Sequence, residues 1–451
     1  DGDPVIERAS SDDLMLLCCD VGPVPLQVGA VIMLDAGPEF DVGAAREALA
    51  ERITAVPRLR QRLVRPPAGC GRPFWIDHAG FDIGEHVRSV GCGEPGDQAA
   101  LLKTAATILT APLPWSRPLW SASFVTGLAG SRVAVVVVFH HVLADGIGGL
   151  AVLASLVDGA AKPVPLPFPR PAPSRRQLAG DALRSRLRAF SRPGPRLPKL
   201  GSAGAELNLA GVLRPAGTVL NGPTGQRRSI AVTRAELDQI RAAAHAGGAT
   251  VNDITLLAIA RALHCLVARR GHAPDDVVAS VMVGGRATAG PDDLGNLVGV
   301  MPVRLPAGGD RIGQLRQIAA STSRHKVASR GASAALLRPA FRTLASTGAL
   351  RWFINHQRFV NVFVTSLRGP RDRLALLGAP VTDVLPLTLV AGNVALSFAA
   401  ISYAGSLVVV ITADPERCPD VDVLAALLQS ELDAAAGLVG AAADKAAGLQ
   451  G

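Results

Sequence analysis

The chain has 451 residues, 49% hydrophobic and 4% aromatic, with 46 Lys and Arg against 37 Asp and Glu. That length and apolar content exclude a peptide, a disulfide miniprotein and a disordered tail, and predict two domains with large aliphatic cores. Mean hydropathy is +0.30, yet the longest aliphatic run, Val133 to Phe139, falls well short of the ~20 apolar residues of a membrane-spanning helix.

The opening residues Asp1 to Glu7 lack the basic start and apolar middle of a secretory signal, which predicts a cytoplasmic protein for a chain from which no upstream segment was removed. Val28 to Leu34 is strand-like, and Asp41 to Ile53 is helix-like with Asp41 as N-cap. Phe74 to Ile76 and Leu119 to Thr126 are predicted as strands, and Ala99 to Leu109 as a helix. Arg132 to His141 is a strand whose consecutive valines require cover on both faces.

The charge is concentrated in one segment. From Ala161 to Leu200 there are ten Lys and Arg residues against Asp181 alone, which accounts for the whole formal excess of +9. Alternating prolines from Pro163 to Pro173 stiffen its first part toward an extended form. Arg175 to Phe190 can then form a basic amphipathic helix. The first reading is a solvated crossover between domains and the second is attachment to a membrane surface. Nucleic acid is not expected, because Phe168 and Phe190 are the segment's only aromatics and no nucleic-acid module surrounds it. The expected organisation is an N-terminal domain over 1–160, a linker over 161–215 and a C-terminal domain over 216–451.

Within the last part, Ser229 to Val232 reads as strand, Arg234 to Ala246 as helix, and Thr250 to Arg270 as a long helix with Thr250 or Asn252 near its start. Val277 to Val283, Gly299 to Leu305, Asn361 to Thr365, Ala395 to Tyr403 and Ser406 to Ala413 read as strands, and Asp420 to Leu438 closes the chain as a helix. The six cysteines, Cys18, Cys19, Cys70, Cys92, Cys265 and Cys418, show no C-x-x-C spacing, so neither structural zinc nor a disulfide framework is expected.

The chemistry centres on His140-His141-Val142-Leu143-Ala144-Asp145-Gly146, between the valine strand and an apolar helix. Chance returns this HHxxxDG pattern roughly once in 1,000 chains of such composition. Neighbouring strand residues point to opposite faces, so one histidine faces a cleft while the core holds the other. An imidazole can take a proton from a hydroxyl near neutral pH and return it to a leaving group. Gly146 lets the backbone turn into the helix, and Asp145 either orients the imidazole or, the favoured reading, braces the loop through an arginine. No G-x-S-x-G elbow, P-loop or dinucleotide fingerprint accompanies the histidines. A base without its own nucleophile points to direct transfer between two bound substrates.

These residues resemble the CoA-dependent acyltransferase superfamily, and within it the bacterial wax ester synthase/diacylglycerol acyltransferase family. The resemblance rests on His140 to Gly146, Pro118-Leu119-Trp120, Asn252-Asp253, Asn221-Gly222-Pro223, Arg227-Arg228, Gly295-Asn296, Ser402-Tyr403 with Gly405, and Asp414. It departs where Pro114-Trp115 stand in place of the family's usual Asp-Arg pair. The resemblance implies an α/β fold of two chloramphenicol-acetyltransferase-like domains with an active-site channel between them. It implies transfer of a long-chain acyl group from acyl-CoA, as substrate and with no cofactor or metal, to a fatty alcohol or diacylglycerol.

On the same ground His141 is the general base, His140 and Asp145 are structural, and Arg60 is the candidate arginine for Asp145. Trp120 and Asn252 are expected beside the cleft, with core aromatic and helix cap respectively as their plainer readings, and Asp253 is expected as a site-shaping residue. The location implied is cytoplasmic or peripheral at the inner membrane surface, with a membrane or lipid-droplet surface as partner. Two alternatives stand beside this reading: a carrier-protein-dependent condensation or ester transferase, and a non-catalytic lipid-binding paralogue.

Overall fold

The computed structural model describes residues 6–54, 56–160, 167–190, 219–273, 276–284, 298–327, 344 and 347–437. The expected linker stretches 161–166 and 191–215, and the motif residues Gly295 and Asn296, lie outside these. Two six-stranded mixed sheets organise the molecule. The first has the order β11-β12-β1-β6-β5-β4, from β1 (Gln27–Leu34), β4 (Val87–Gly91), β5 (Trp120–Leu128), β6 (Arg132–His140), β11 (Ala375–Leu376) and β12 (Ala379–Leu387). The second has the order β7-β14-β13-β10-β8-β9, from β7 (Ser229–Glu236), β8 (Val277–Gly284), β9 (Val298–Leu305), β10 (Val362–Arg368), β13 (Leu396–Tyr403) and β14 (Ser406–Ala413). A small ribbon pairs β2 (Gln61–Val64) with β3 (Phe74–Asp77).

The sequence division at 215 does not hold for the sheets. Strand β12, from the expected C-terminal domain, pairs antiparallel with β1 in the first sheet, Ala30 opposite Pro386. Pro380 and Pro386 mask β12 in the sequence, since proline supplies no ladder N–H. Its outer neighbour β11 is only two residues long, so β12 behaves mostly as an edge, where proline is tolerated. The two units also share a core. Val408 and Val410 of β14 belong to the first apolar cluster, while Leu407, Val409 and Ile411 belong to the second, as a two-residue period requires. Buried on both faces, β14 reads as an unbroken apolar run.

Helix α1 (Ser11–Cys19) starts with a capping box in which Ser10 and Asp13 exchange hydrogen bonds. Helix α2 (Val42–Ile53) is capped by Asp41, which accepts the Gly43 N–H at 2.7 Å. Helices α3 (Gln98–Thr110), α4 (Gly146–Leu156) and α5 (Arg175–Phe190) complete the first half. In the second half α6 (Leu237–Ala246) starts three residues later than its pattern predicts. Arg234 to Glu236 stay in β7, with Arg234 held at both N–H and C=O by the side chain of Gln429. Helix α7 (Val251–Arg269) is capped by Thr250 rather than Asn252. By length and composition α7 is apolar enough to cross a membrane, but 72% of its apolar window is buried inside the protein. Helices α8 (Arg311–Val327), α9 (Ala349–His356) and α10 (Val421–Ala436) follow.

Candidate active site

Strand β6 carries the histidine pair to one end of the first sheet. Along it Val135, Val137 and Phe139 line a cavity, so the alternate residues Val136, Val138 and His140 face away from it. His140, 2% exposed, lies with Nε2 3.1 Å from Asp20 Oδ2. Its Nδ1 accepts the Val142 N–H at 3.1 Å. A backbone N–H can only donate, so Nδ1 presents its lone pair and the ring proton sits on Nε2, directed at Asp20. In that state His140 is donor at one end and acceptor at the other, with no free position for a substrate proton. The expectation that the core holds one histidine applies to His140.

The strand ends at His140, one residue earlier than its pattern predicts, and His141 begins the turn into α4. His141 is buried, at 5% exposure, and its N–H donates to Leu26 C=O at 2.8 Å. The turn is closed by Leu143 N–H to His140 C=O at 2.9 Å. Leu143 and Ala144, two and three residues beyond His141, line the cavity.

Asp145 is the N-cap of α4. Its Oδ1 accepts the Gly148 N–H at 2.7 Å and its C=O accepts the Gly149 N–H at 2.7 Å, so the carboxylate sits where the helix N-terminus favours negative charge. Gly146 is the first residue of that helix. Arg60 is not the arginine of Asp145. It ends a 3-10 turn, Pro57–Arg60, that follows the close of α2; its Nη2 donates to Thr54 C=O at 2.9 Å and its guanidinium stacks over the Phe168 ring at 4.1 Å. The last carbonyls of α2 and an aromatic face draw the cation there.

The cavity, of about 710 Å³, is bounded by the first sheet, α2, α4 and residues from β10, β12 and β13. Its wall is almost wholly aliphatic and aromatic. Gly149 and Phe139 meet on that wall so closely that a Cβ on Gly149 would stand 2.6 Å from the Phe139 ring. Trp120 is both a core aromatic and a cavity residue: its Nε1 donates to Leu59 C=O at 2.7 Å, and its ring stacks on His86 at 4.7 Å. His86, which the sequence reading did not single out, donates from Nδ1 to Trp120 C=O at 2.9 Å. Burial outweighs that bond and pushes the His86 imidazole below its ordinary range, so it stays neutral at pH 7.

Asp253 is engaged in the capping box of α7 and accepts the Thr322 hydroxyl at 2.7 Å. The cap of this helix is thus made by Thr250 and Asp253, not by Asn252. Asn252, in the first turn of the same helix, has a buried Oδ1 without a hydrogen-bond partner among the described residues. An orphaned amide oxygen is costly, and a bound hydroxyl or amide would satisfy it. Burial, with Cys18 and Asp20 adding, pushes the Cys19 thiol up to about 12, which leaves it protonated and a poor nucleophile.

Asp20 is the main site residue the sequence reading missed. Its signal is slight: one acid between an apolar helix and the first strand, seven residues before β1 begins.

The sequence model described as wax ester synthase/diacylglycerol acyltransferase catalytic domain matches residues 10–255, and that of the WS/DGAT C-terminal domain matches residues 294–435. A probable diacylglycerol O-acyltransferase of Mycobacterium tuberculosis is 30% identical over 92% of this chain and 92% of its own length. A putative one of Mycobacterium bovis is likewise 30% identical over 92% of each chain. Among solved structures, the wax ester synthase/diacylglycerol acyltransferase from Marinobacter aquaeolei superposes with a TM-score of 0.68 at 21% identity, covering 96% of this chain and 100% of that one. The first condensation domain of the CDA synthetase superposes with a TM-score of 0.63 at 18% identity, covering 97% of each. Both structural likenesses bear out the α/β fold of two chloramphenicol-acetyltransferase-like halves.

Proposed function

The chain belongs to the wax ester synthase/diacylglycerol acyltransferase family and is an acyltransferase, and from that premise we propose the chemistry of its site. The donor is a long-chain acyl-CoA, used as substrate without any cofactor. The acceptor is the hydroxyl of a fatty alcohol or a diacylglycerol. His141 is the general base. It removes the acceptor's proton as the hydroxyl oxygen attacks the thioester carbonyl carbon; the carbon–sulfur bond then breaks, and the proton passes from the imidazolium to the departing thiolate. One ester and one free CoA thiol result, with no acyl-enzyme between. Holding both substrates in reacting geometry can supply ~7–11 kcal/mol of the barrier.

One observation carries this reading: an apolar cavity of about 710 Å³ whose wall takes in Phe139, two residues before His141, and Leu143 and Ala144, two and three residues after it. A hydrocarbon chain is the ligand such a wall favours, at about 0.8 kcal/mol per buried methylene. The neutral, doubly engaged His140 leaves His141 as the histidine of the pair suited to proton transfer. Asp145 serves as cap of α4, and Trp120 as cavity wall.

The lipid partners also call for a surface. Helix α5 seats Leu178 and Ala182 against the protein and leaves Leu183 and Leu187 57% and 60% exposed. Arg175, Arg176, Arg184, Arg186 and Arg188 are exposed on the same helix, and its one acid, Asp181, is paired with Arg8 at 2.6 Å. An exposed leucine pair among arginines matches the charge of an anionic lipid surface, which α5 contacts peripherally.

The test is CoA release from a long-chain acyl-CoA with a long-chain alcohol or a diacylglycerol, for the native chain and His141→Ala. Acceptor-dependent release that falls by about 10²–10⁴ in the variant is expected for a general base. Equal release in both proteins would overturn the role of His141. Turnover only with an acylated carrier protein would favour the condensation-type alternative.

A further inference from the structure

We propose that Asp20 is a positioning residue for this acyl transfer, acting through His140 and Leu26 on the backbone that carries His141. The proposal rests on His141 being the base; its own observation is a hydrogen-bond circuit in which Asp20 holds the chain on both sides of that residue.

Asp20 follows the last turn of α1 and uses both carboxylate oxygens. Oδ1 accepts the Leu26 N–H at 3.0 Å, and Oδ2 lies 3.1 Å from His140 Nε2. Leu26 in turn accepts the His141 N–H at 2.8 Å, and His140 Nδ1 accepts the Val142 N–H at 3.1 Å. The circuit therefore grips the main chain at His141 and at Val142, the residues between which the His141 carbonyl is set. Trp115 closes over it, its ring edge-on to His140 at 5.1 Å between centroids.

Two donors, Leu26 N–H and His140 Nε2–H, converge on Asp20, so the position needs two acceptors. An asparagine has one. With its oxygen toward His140 its amide meets Leu26 N–H donor to donor. With its oxygen toward Leu26 its amide meets Nε2–H, which favours moving the ring proton to Nδ1, where it opposes Val142 N–H. Either way one clamp on the His141 segment opens, whereas glutamate preserves both acceptors on a longer arm.

The experiment uses the full chain with ¹⁵N-labelled histidine, assigning His140 by its loss in His140→Gln, together with steady-state kinetics. In the native protein His140 is expected as the neutral Nε2–H tautomer. In Asp20→Asn that signal is expected to shift toward the other tautomer or broaden. The kcat is expected to fall by about 10- to 100-fold, the scale of a ~1 Å misplacement, with KM for acyl-CoA within about threefold. Asp20→Glu is expected to keep the tautomer and recover most of kcat, and it serves as the folded comparison should Asp20→Asn not fold. A native kcat in Asp20→Asn, a lowered kcat with the tautomer unchanged, or a folded Asp20→Glu with kcat no better than one tenth of native would each overturn the proposal. Should His141→Ala retain turnover, the general-base reading fails, while the tautomer measurement still reports whether Asp20 governs His140.

Discussion

Asp158 and Gly378 stand 220 positions apart in the chain, yet the Asp158 carboxylate accepts the Gly378 N–H at 2.9 Å. It also accepts the Leu377 N–H at 3.1 Å and binds Arg52 of α2. Leu377 and Gly378 both have positive φ, 56° and 82°, in the turn that joins β11 to β12. Gly378 takes that conformation freely while Leu377 is strained in it. The carboxylate thus fixes a tight turn from late in the chain onto the end of α4, where Leu377 and Val157 both line the cavity.

This clamp predicts a pH-dependent stability. Burial alone would raise the Asp158 carboxyl, but the Gly378 N–H and Arg52 outweigh it and hold the group below the ordinary value of 3.8. A depressed folded-state value gives a contribution that is complete above the unfolded value and lost as pH falls through the folded one. Asp158→Asn is therefore expected to lose about 1.5–3 kcal/mol at pH 7, the range for hydrogen bonds to a charged group. The gap from native should narrow below about pH 4. Urea unfolding at several pH values measures this, and a gap independent of pH would refute the charge-based account.

The cavity should set acyl-chain length. Leu153, on the α4 wall, is partly buried, so a larger side chain there can be absorbed with limited strain. Leu153→Trp is expected to fill part of the space and move the preferred acyl-CoA toward shorter chains. Each methylene excluded costs about 0.8 kcal/mol, close to fourfold in binding. Relative kcat/KM across a series of acyl-CoA lengths reads the effect, and a uniform decrease at every length would show that the cavity does not hold the chain.

Much of the framework was legible in the sequence because its signals are local. The valine run of β6, the Asp41 cap of α2 and the apolar register of β14 depend on neighbouring residues, and each appears within a residue or two of its expected place. His140 and His141 are legible as a pair because they close a valine strand, but what separates them is the strand's end, with His140 its last residue and His141 the first of the turn. The misses are relations between distant segments. Strand β12 carries two prolines and declares itself only when β1 is beside it. Asp20 is unremarkable until β6 returns His140 to it, 120 positions later. Likeness to the family points Arg60 at Asp145, whereas the Thr54 carbonyl and the Phe168 ring hold it. The Asp145 side chain caps the helix that its own motif begins, a role additional to the brace that the sequence suggests.

Trp120 links the cavity to the packing beneath it. Trp120→Phe removes the Nε1–H that satisfies Leu59 C=O and weakens the stack on His86. A buried carbonyl left without its donor costs about 1–3 kcal/mol, and the smaller ring adds a cavity term. The variant is expected to lose roughly 2–4 kcal/mol in stability. It should also tolerate longer acyl chains, since the wall recedes. Thermal unfolding and the same acyl-length series test both halves; unchanged stability would show that the indole hydrogen bond carries little of the packing.

Helix α5 gives a prediction separable from catalysis. Its buried face, Leu178 and Ala182, and the Arg8–Asp181 pair at 2.6 Å keep it on the protein. Leu183 and Leu187 lie one turn apart on a face roughly 140° round the helix from that contact. Because they are exposed, changing both to glutamate should leave stability within about 0.5 kcal/mol. Each exchange removes an apolar anchor of about 1.5–3 kcal/mol at full burial and adds a repelled charge, so binding to phosphatidylglycerol vesicles is expected to weaken at least about tenfold. Native binding should also fall as salt rises, since arginine attraction to lipid is screened within a Debye length of about 10 Å at 0.1 M. Co-sedimentation at two salt concentrations, with neutral phosphatidylcholine vesicles as comparison, separates the contributions. Equal binding to neutral and anionic vesicles would remove the arginines from the account, and unchanged binding in Leu183→Glu/Leu187→Glu would remove the helix. With α5 as the contact, turnover of soluble short-chain substrates should be unaffected by the double variant, while turnover of vesicle-borne diacylglycerol falls in step with binding.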